Sequence, residues 1–101
     1  MQELENEFEK VKNKVLSMPP IKTTLKLKVG EYVFHIDGTD NANIITNDDK
    51  TSVSTVSMNE KTFLALRNGK ISPFDALGTG KMSIKGSYGV AFKYRSLLNK
   101  D

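Results

Sequence analysis

Cysteine and tryptophan are absent from this chain of 101 residues, and histidine occurs once. The lack of cysteine excludes disulfides, thiolate metal sites and a cysteine nucleophile. No apolar run approaches the ~20 residues that a membrane-spanning helix needs. The acidic start is unlike a signal peptide, and the final Asn-Lys-Asp is unlike a Ser-Lys-Leu address, so we expect a soluble cytoplasmic protein.

Catalytic and metal-binding motifs are also missing. His35 has Asp37 two residues away, but nothing supplies the nucleophile that a catalytic base would serve. The run Gly78-Thr79-Gly80-Lys81 lacks the first glycine and the final Ser or Thr of a phosphate loop. The aspartates of the predicted turns lack the spacing of a calcium loop. The residues therefore predict no catalytic site, no metal and no cofactor.

The net charge is small, at +3 from fifteen basic and twelve acidic residues. The lysines are not interleaved with exposed aromatic residues, as they are on surfaces that stack single-stranded bases. We therefore expect no nucleic-acid partner.

The first segment has the clearest helical pattern, over residues 2–16 of an N-terminal helix expected at 1–18. Its apolar residues recur at helical spacing and form one narrow stripe, namely Leu4, Phe8, Val11 and Val15. Glutamates at its start and lysines toward its end match the helix dipole, and Pro19-Pro20 ends it. A stripe this thin predicts a helix that lies on the sheet of its own domain.

Alternating segments separated by turns follow, up to residue 57. Leu25, Leu27 and Val29 alternate with lysines, and Gly30 begins a tight turn into a second strand over residues 32–37. Further strands are expected at 42–46 and 51–57. Short turns between consecutive strands predict an antiparallel meander.

Two predicted strands each carry lysines on one face. These are Lys22, Lys26 and Lys28 on the first strand, and Lys81 and Lys85 on the last strand of the chain. On neighbouring strands they would form one cationic surface. Such a surface is typical of a solvated sheet face, and it could also attract an anionic membrane weakly.

The second half of the chain carries complete helix signals. Asn59 is an N-cap for a helix in which Phe63 and Leu66 share a face and Arg67 is expected at the surface; Gly69 ends it. A second helix has Ser72 as its cap, Pro73 at its first position, and Phe74 and Leu77 as its apolar pair. Met82 and Ile84 then alternate with polar residues on a half-buried strand.

The last predicted helix spans residues 88–98. Its broad apolar arc consists of Val90, Ala91, Tyr94, Leu97 and Leu98, and Lys93 and Ser96 are expected to face water. Tyr88 and Phe92 lie on a separate side, beside Arg95. Since an ordinary surface helix has one apolar stripe, this pattern indicates a helix that contacts two surfaces.

These signals resemble those of the sterol carrier protein family, second type, a family of lipid-binding domains. In that family a helix with Phe and Leu ends in Gly-Lys, here Gly69-Lys70, and a proline, here Pro73, opens a short second helix. A Gly-Lys-apolar-x-apolar-x-Gly strand follows, here Gly80–Gly86. The resemblance covers residues 21–98.

The resemblance implies an α+β fold in a single domain over residues 1–101. Its five-stranded sheet would be mixed but mostly antiparallel, with helices on one face enclosing an apolar tunnel. It implies no enzymatic activity, but binding and transfer of a lipid: fatty acid, acyl-CoA, phospholipid or sterol. The residues that match the tunnel lining by position are Phe63, Leu66, Phe74, Leu77, Met82, Ile84, Ala91, Tyr94 and Leu98.

This chain departs from the family pattern at two places. Leu77 stands where the family often has Phe, and the tryptophan common on an early strand is absent. Cavity size and ligand class therefore stay open. The sequence also leaves the oligomeric state open. The alternative hypothesis is an accessory or protein-interaction domain that uses the same scaffold without a working tunnel.

Overall fold

A computed structural model describes residues 2–99. The first residue of the predicted 1–18 helix and the terminal residues of the predicted 1–101 domain (Met1, Lys100 and Asp101) lie outside the described residues. The elements in chain order are α1 (Gln2–Ser17), β1 (Thr24–Val29), β2 (Tyr32–Asp37), β3 (Ile44–Thr46), β4 (Ser54–Met58), α2 (Glu60–Arg67), α3 (Pro73–Gly78), β5 (Met82–Gly86), α4 (Tyr88–Lys93) and a 3₁₀ turn (Arg95–Leu97). Among the helices of residues 2–99, none is both long and apolar enough to cross a membrane.

The strands form one five-stranded sheet in the order β3-β2-β1-β4-β5. The central strand β1 pairs antiparallel with β2 and parallel with β4, and the two outer pairs are antiparallel. The α+β class and the mixed sheet are confirmed. The meander is wrong at one connection, because β4 pairs with β1 instead of β3.

The connection from β3 to β4, residues 47–53, is called the crossover loop, and it passes over the outer face of the sheet. The Nδ2 atom of Asn47 donates to the carbonyl oxygen of Val33 at 3.0 Å. His35, which is 3% exposed, has its Nε2 3.2 Å from the carbonyl oxygen of Thr51. The loop therefore covers His35 on the outer side of β2, a position that strand alternation alone places in water.

The inner face of the sheet packs against α1. The inward side chains of β1 are at most 2% exposed, and so are Leu4 and Val15 of the α1 stripe. The Phe8 ring packs against three other rings, with centroids 4.8–5.1 Å away, those of Tyr32, Phe34 and Phe63. The predicted stripe is thus confirmed as the contact of α1 with its own domain.

A buried amide sets the start of the third strand at Ile44 instead of Ala42. Asn43 is 6% exposed, and its Nδ2 donates to the carbonyl oxygen of Val15 at 3.0 Å while its Oδ1 accepts from the backbone N–H of Ile21 at 2.9 Å. Asn43 thereby connects the last turn of α1 to the segment that leads into β1.

The predicted helix over 88–98 divides into two parts. α4 ends at Lys93, Tyr94 leaves the helical conformation (φ −107°, ψ 20°), and the 3₁₀ turn follows. Donors from elsewhere in the fold occupy the carbonyl groups of this C-terminal segment (residues 94–99); for instance, Lys14 Nζ donates to Ser96 O at 3.2 Å. A single helix past Lys93 was therefore a wrong prediction.

Candidate functional site

The space between the sheet and α2 is lined by apolar side chains. The Asn59 side chain accepts a hydrogen bond from the Thr62 N–H at 2.8 Å, which fixes the start of α2, and Gly69 in a left-handed conformation (φ +75°) ends it. Phe63 and Leu66 then point inward and are at most 1% exposed. The predicted caps and the inward face of α2 are confirmed.

The helix α3 presents a different face from the one predicted. Ser72 and Pro73 begin it as expected. Its buried side chains are Pro73 and Ala76, whereas Phe74 is 58% exposed and Leu77 is half-buried. Phe74 and Leu77, the predicted apolar pair, are thus not the residues through which α3 packs, because the buried positions of this six-residue helix are its first and fourth.

The strand β5 and the C-terminal elements complete the interior. Met82 and Ile84 are buried on the inner face of β5, as alternation predicted. Ala91 and Leu98 are also buried. Tyr94 is half-buried, and its hydroxyl donates to the carbonyl oxygen of Ile21 at 3.1 Å. The expected exposure of Lys93 and Ser96 is found as well.

The fold brings eight of the nine predicted lining residues to one apolar interior. Six belong to its buried cluster: Phe63, Leu66, Met82, Ile84, Ala91 and Leu98. Leu77 and Tyr94 pack against that cluster, and Phe74 lies on the surface. Whether any of the eight interior residues contacts a ligand stays a prediction, and the surface position of Phe74 places it outside that interior.

The six predicted lining residues of the buried cluster are at most 8% exposed. Five clefts of about 220–420 Å³ open on the surface formed by residues 2–99, and Leu66 alone among the nine residues lines one of these five. The cleft of about 420 Å³ lies between α1 and β3, beside Lys12, Leu16 and Ile44. A passage between the sheet and the helices would therefore require side chains of the interior to move.

A buried ion pair joins three parts of the chain. Arg67, expected at the surface, is 3% exposed; its Nε donates to Glu7 Oε1 at 2.9 Å, and its NH1 donates to the carbonyl oxygens of Leu97 and Asn99 at 3.0 and 2.7 Å. Burial raises the pKa of Glu7, but hydrogen bonds from Lys10 and Arg67 outweigh burial and hold the pKa below its usual value of 4.5. Glu7 stands on the apolar stripe of α1, and a carboxylate in that position was the sequence signal for a cationic partner.

A surface cluster of three rings lies on α3 and α4; we call Phe74, Tyr88 and Phe92 the aromatic patch. Phe74 stacks on Phe92 with centroids 5.2 Å apart, and the centroid of Tyr88 lies 6.3 Å from that of Phe92. The Arg95 guanidinium lies 5.7 Å from the centre of the Phe74 ring. The second contact surface predicted for the last helix is thus present, and it includes Phe74, which was predicted to line the interior.

The predicted cationic face is partly neutralised by the crossover loop. Asp49 lies 2.6 Å from Lys26 Nζ and 3.6 Å from Lys28 Nζ, and these contacts hold the pKa of Asp49 below its usual value. Lys22 precedes β1, outside the strand. The five lysines therefore do not form one unpaired surface.

The domain is a small α+β domain in which helices cover the inner face of a mixed sheet. Its apolar interior lies between these two layers, an arrangement suited to an apolar ligand. Residues 2–99 match the SCP-2 sterol transfer family, so the chain belongs to this family of lipid-binding and lipid-transfer domains.

Comparisons with individual proteins agree with that membership. Human sterol carrier protein 2 is 39% identical over 54 residues, which are 54% of this chain and 10% of the human protein. The chain thus matches about a tenth of the length of this curated relative. Two Aedes aegypti structures share the fold: sterol carrier protein 2 like 2 (TM-score 0.70, 20% identity, 94% of this chain and 95% of that one) and sterol carrier protein 2 with the C16 fatty acid palmitate (TM-score 0.73, 16% identity, 95% and 94%).

Proposed function

We propose that this chain binds one long acyl chain, as a fatty acid or acyl ester, in the interior between the inner face of the sheet and α2, α3 and α4, and transfers it between membranes. The observation that carries the proposal is the convergence of buried apolar side chains from α2, β5, α4 and the C-terminal segment on one interior. The palmitate complex of the Aedes aegypti relative supports a ligand of this chemistry.

The buried interior fits a ligand that makes its own space. Ligand pockets commonly enclose about 300 Å³, and an empty cavity of that size would destabilise a rigid fold by about 7 kcal/mol at ~24 cal/mol per Å³. A small domain has only ~5–15 kcal/mol of stability in total. A domain of this size is therefore expected to close when empty and to open a wall when ligand enters.

The wall most suited to opening consists of α4 and the C-terminal segment. α4 has six residues, far fewer than the ~12–15 that an isolated helix needs to be stable in water. Hydrogen bonds to Arg67, Lys14 and Ile21 hold the segment that follows. These bonds can break one at a time without separating the strands.

We expect the chain to release its ligand chemically unchanged. His35, its single histidine, is buried on the outer face of the sheet beneath the crossover loop, whereas the proposed ligand lies against the inner face. If the protein hydrolysed acyl-CoA or an ester, and His35→Ala abolished that hydrolysis, this part of the proposal would be wrong.

The test is a chain-length series on delipidated protein. Saturated fatty acids of rising length are titrated, and affinity is expected to increase about four-fold per methylene until the interior is full. At a hundred-fold excess over Kd, palmitate is expected to stabilise the fold by about 2.7 kcal/mol. Melting curves unmoved by palmitate, palmitoyl-CoA and phosphatidylcholine would overturn the proposal and favour the accessory-domain alternative.

A further inference from the structure

The aromatic patch exposes large apolar rings that the fold leaves uncovered. Phe74 is 58% exposed and Tyr88 is 52% exposed, and Phe92 joins them through the ring contacts described above. A contiguous exposed apolar surface on a small domain marks a surface that meets another body.

Positive charge accompanies the patch. The guanidinium of Arg95 lies over the Phe74 ring. Its NH1 donates to the carbonyl oxygen of Phe92 at 2.7 Å, which holds the cation against the patch. Lys93 is exposed beside it in sequence. Residues 70–99 hold five cations and one carboxylate (Asp75), a net charge of +4 against +3 for the whole chain. The surplus positive charge of the protein therefore lies in this region.

The amphipathic helix α1 has no comparable surface. Its four stripe residues are at most 5% exposed because they form the contact with the sheet. Among the apolar residues of α1 (Gln2–Ser17), Leu16 alone is largely exposed, at 62%. A bilayer contact through α1 would require the helix to leave the core.

We propose that the aromatic patch docks this protein on anionic membranes, with its rings at the depth of the lipid head groups and with Arg95 and Lys93 at the phosphates. Aromatic side chains favour this interfacial zone, and a basic residue near an anionic bilayer strengthens binding. A second copy of the chain fits the patch less well, because a two-fold contact would bring two Arg95 cations together. Membrane docking is a separate proposal from ligand binding. It places α3 and α4 against the bilayer.

Vesicle flotation tests the proposal. Binding is measured to phosphatidylcholine vesicles with and without phosphatidylserine, for the wild type and for the double variant Phe74→Ser/Tyr88→Ser. We expect clear binding of the wild type to the anionic vesicles and a loss of about ten-fold for each ring removed. Arg95→Gln is expected to weaken anionic binding about five-fold.

The matched control is Leu16→Ser/Ile44→Ser, which removes two apolar side chains that are 62% and 55% exposed at the cleft between α1 and β3. It is expected to keep the vesicle affinity of the wild type. Palmitate titration without vesicles should give equal affinities for wild type and both double variants, which separates docking from ligand binding. The proposal would be overturned if the control variant lost as much vesicle affinity as the patch variant, or if binding did not depend on phosphatidylserine. It would also be overturned if the wild type formed a dimer instead of binding vesicles and the patch variant were monomeric.

The absence of cysteine allows a second measurement that does not depend on the stability of the serine variants. A single cysteine at Tyr88 or at Leu16 carries an environment-sensitive fluorophore. Anionic vesicles should shift the emission of the Tyr88→Cys label to shorter wavelength and leave that of the Leu16→Cys label unchanged. The reverse pattern would place the membrane contact on α1.

Discussion

The two sides of this domain are held together by different forces. On one side, the 16-residue helix α1 packs rings against the sheet, with Phe8 surrounded by three aromatic neighbours. On the other side, α3 and α4 have six residues each and expose Phe74 and Tyr88. The C-terminal segment buries Leu98, and hydrogen bonds from Arg67 and Lys14 also hold it. Broad apolar packing resists local opening, whereas a few polar contacts can be exchanged for water. The first side is therefore the platform, and the second is the side on which a ligand would enter.

The largest expected effect comes from the ion pair at the joint between the two sides. Arg67→Ala leaves the Glu7 carboxylate half-paired and two backbone carbonyls without their donor, so the free energy of unfolding should fall by about 3–5 kcal/mol. Urea denaturation measures the loss. Arg95→Ala, an exposed arginine of the same region, is the control and should stay within about 0.5 kcal/mol of the wild type. Similar small losses for both would show that Arg67 does not join the two sides.

The next comparison truncates one leucine on each side. Leu25→Ala in the central strand should lower stability by about 2–5 kcal/mol, because the rigid sheet cannot close over the gap, and palmitate affinity should not change. Leu98→Ala should lower stability by less than about 2 kcal/mol, since the short C-terminal segment can collapse onto the gap. Its palmitate affinity should change several-fold. Denaturant melts and a fluorescent fatty-acid titration on both variants measure the difference.

Two outcomes would oppose that comparison. Equal and large stability losses with unchanged palmitate binding would make Leu98 an ordinary core residue. A change of ligand affinity in Leu25→Ala alone would move the ligand to the opposite end of the interior.

A smaller effect is expected at acid pH. Because the pKa of Glu7 is lowered in the fold, its charged form stabilises the protein above the usual pKa of 4.5, and this contribution is lost as pH falls through the lower folded value. Glu7→Gln should therefore show a shallower loss of stability below pH 4.5 than the wild type. Thermal melts across the acid range measure it, and parallel curves for the two proteins would count against a stabilising charge on Glu7.

The smallest effect is expected at the aromatic patch. Phe74→Ser changes an exposed side chain, so the free energy of unfolding should change by no more than about 0.5 kcal/mol. Phe63→Ser, which places a hydroxyl in the core, should lower stability by several kcal/mol. A loss at Phe74 as large as that at Phe63 would mean that the patch belongs to the packed interior in solution.

Sequence alone determined the features that depend on neighbours along the chain. The sequence correctly predicted the helix caps Asn59 and Ser72, the helix-ending Gly69 and the apolar stripe of α1. Each of these is a short-range contact or a periodicity along the chain. The family motifs likewise indicated the α+β class and most of the residues that converge on the interior.

Tertiary structure alone decided the features that depend on distant partners. The pairing of β4 with β1 buries His35 under the crossover loop and places Asp49 beside Lys26, which no local pattern could indicate. Local sequence predicts that Arg67 is a surface residue. It is buried because Glu7, sixty positions away in the chain, supplies its countercharge. A buried charge or a covered strand face is stable only once its partner is in place, so its environment is fixed by the assembled fold.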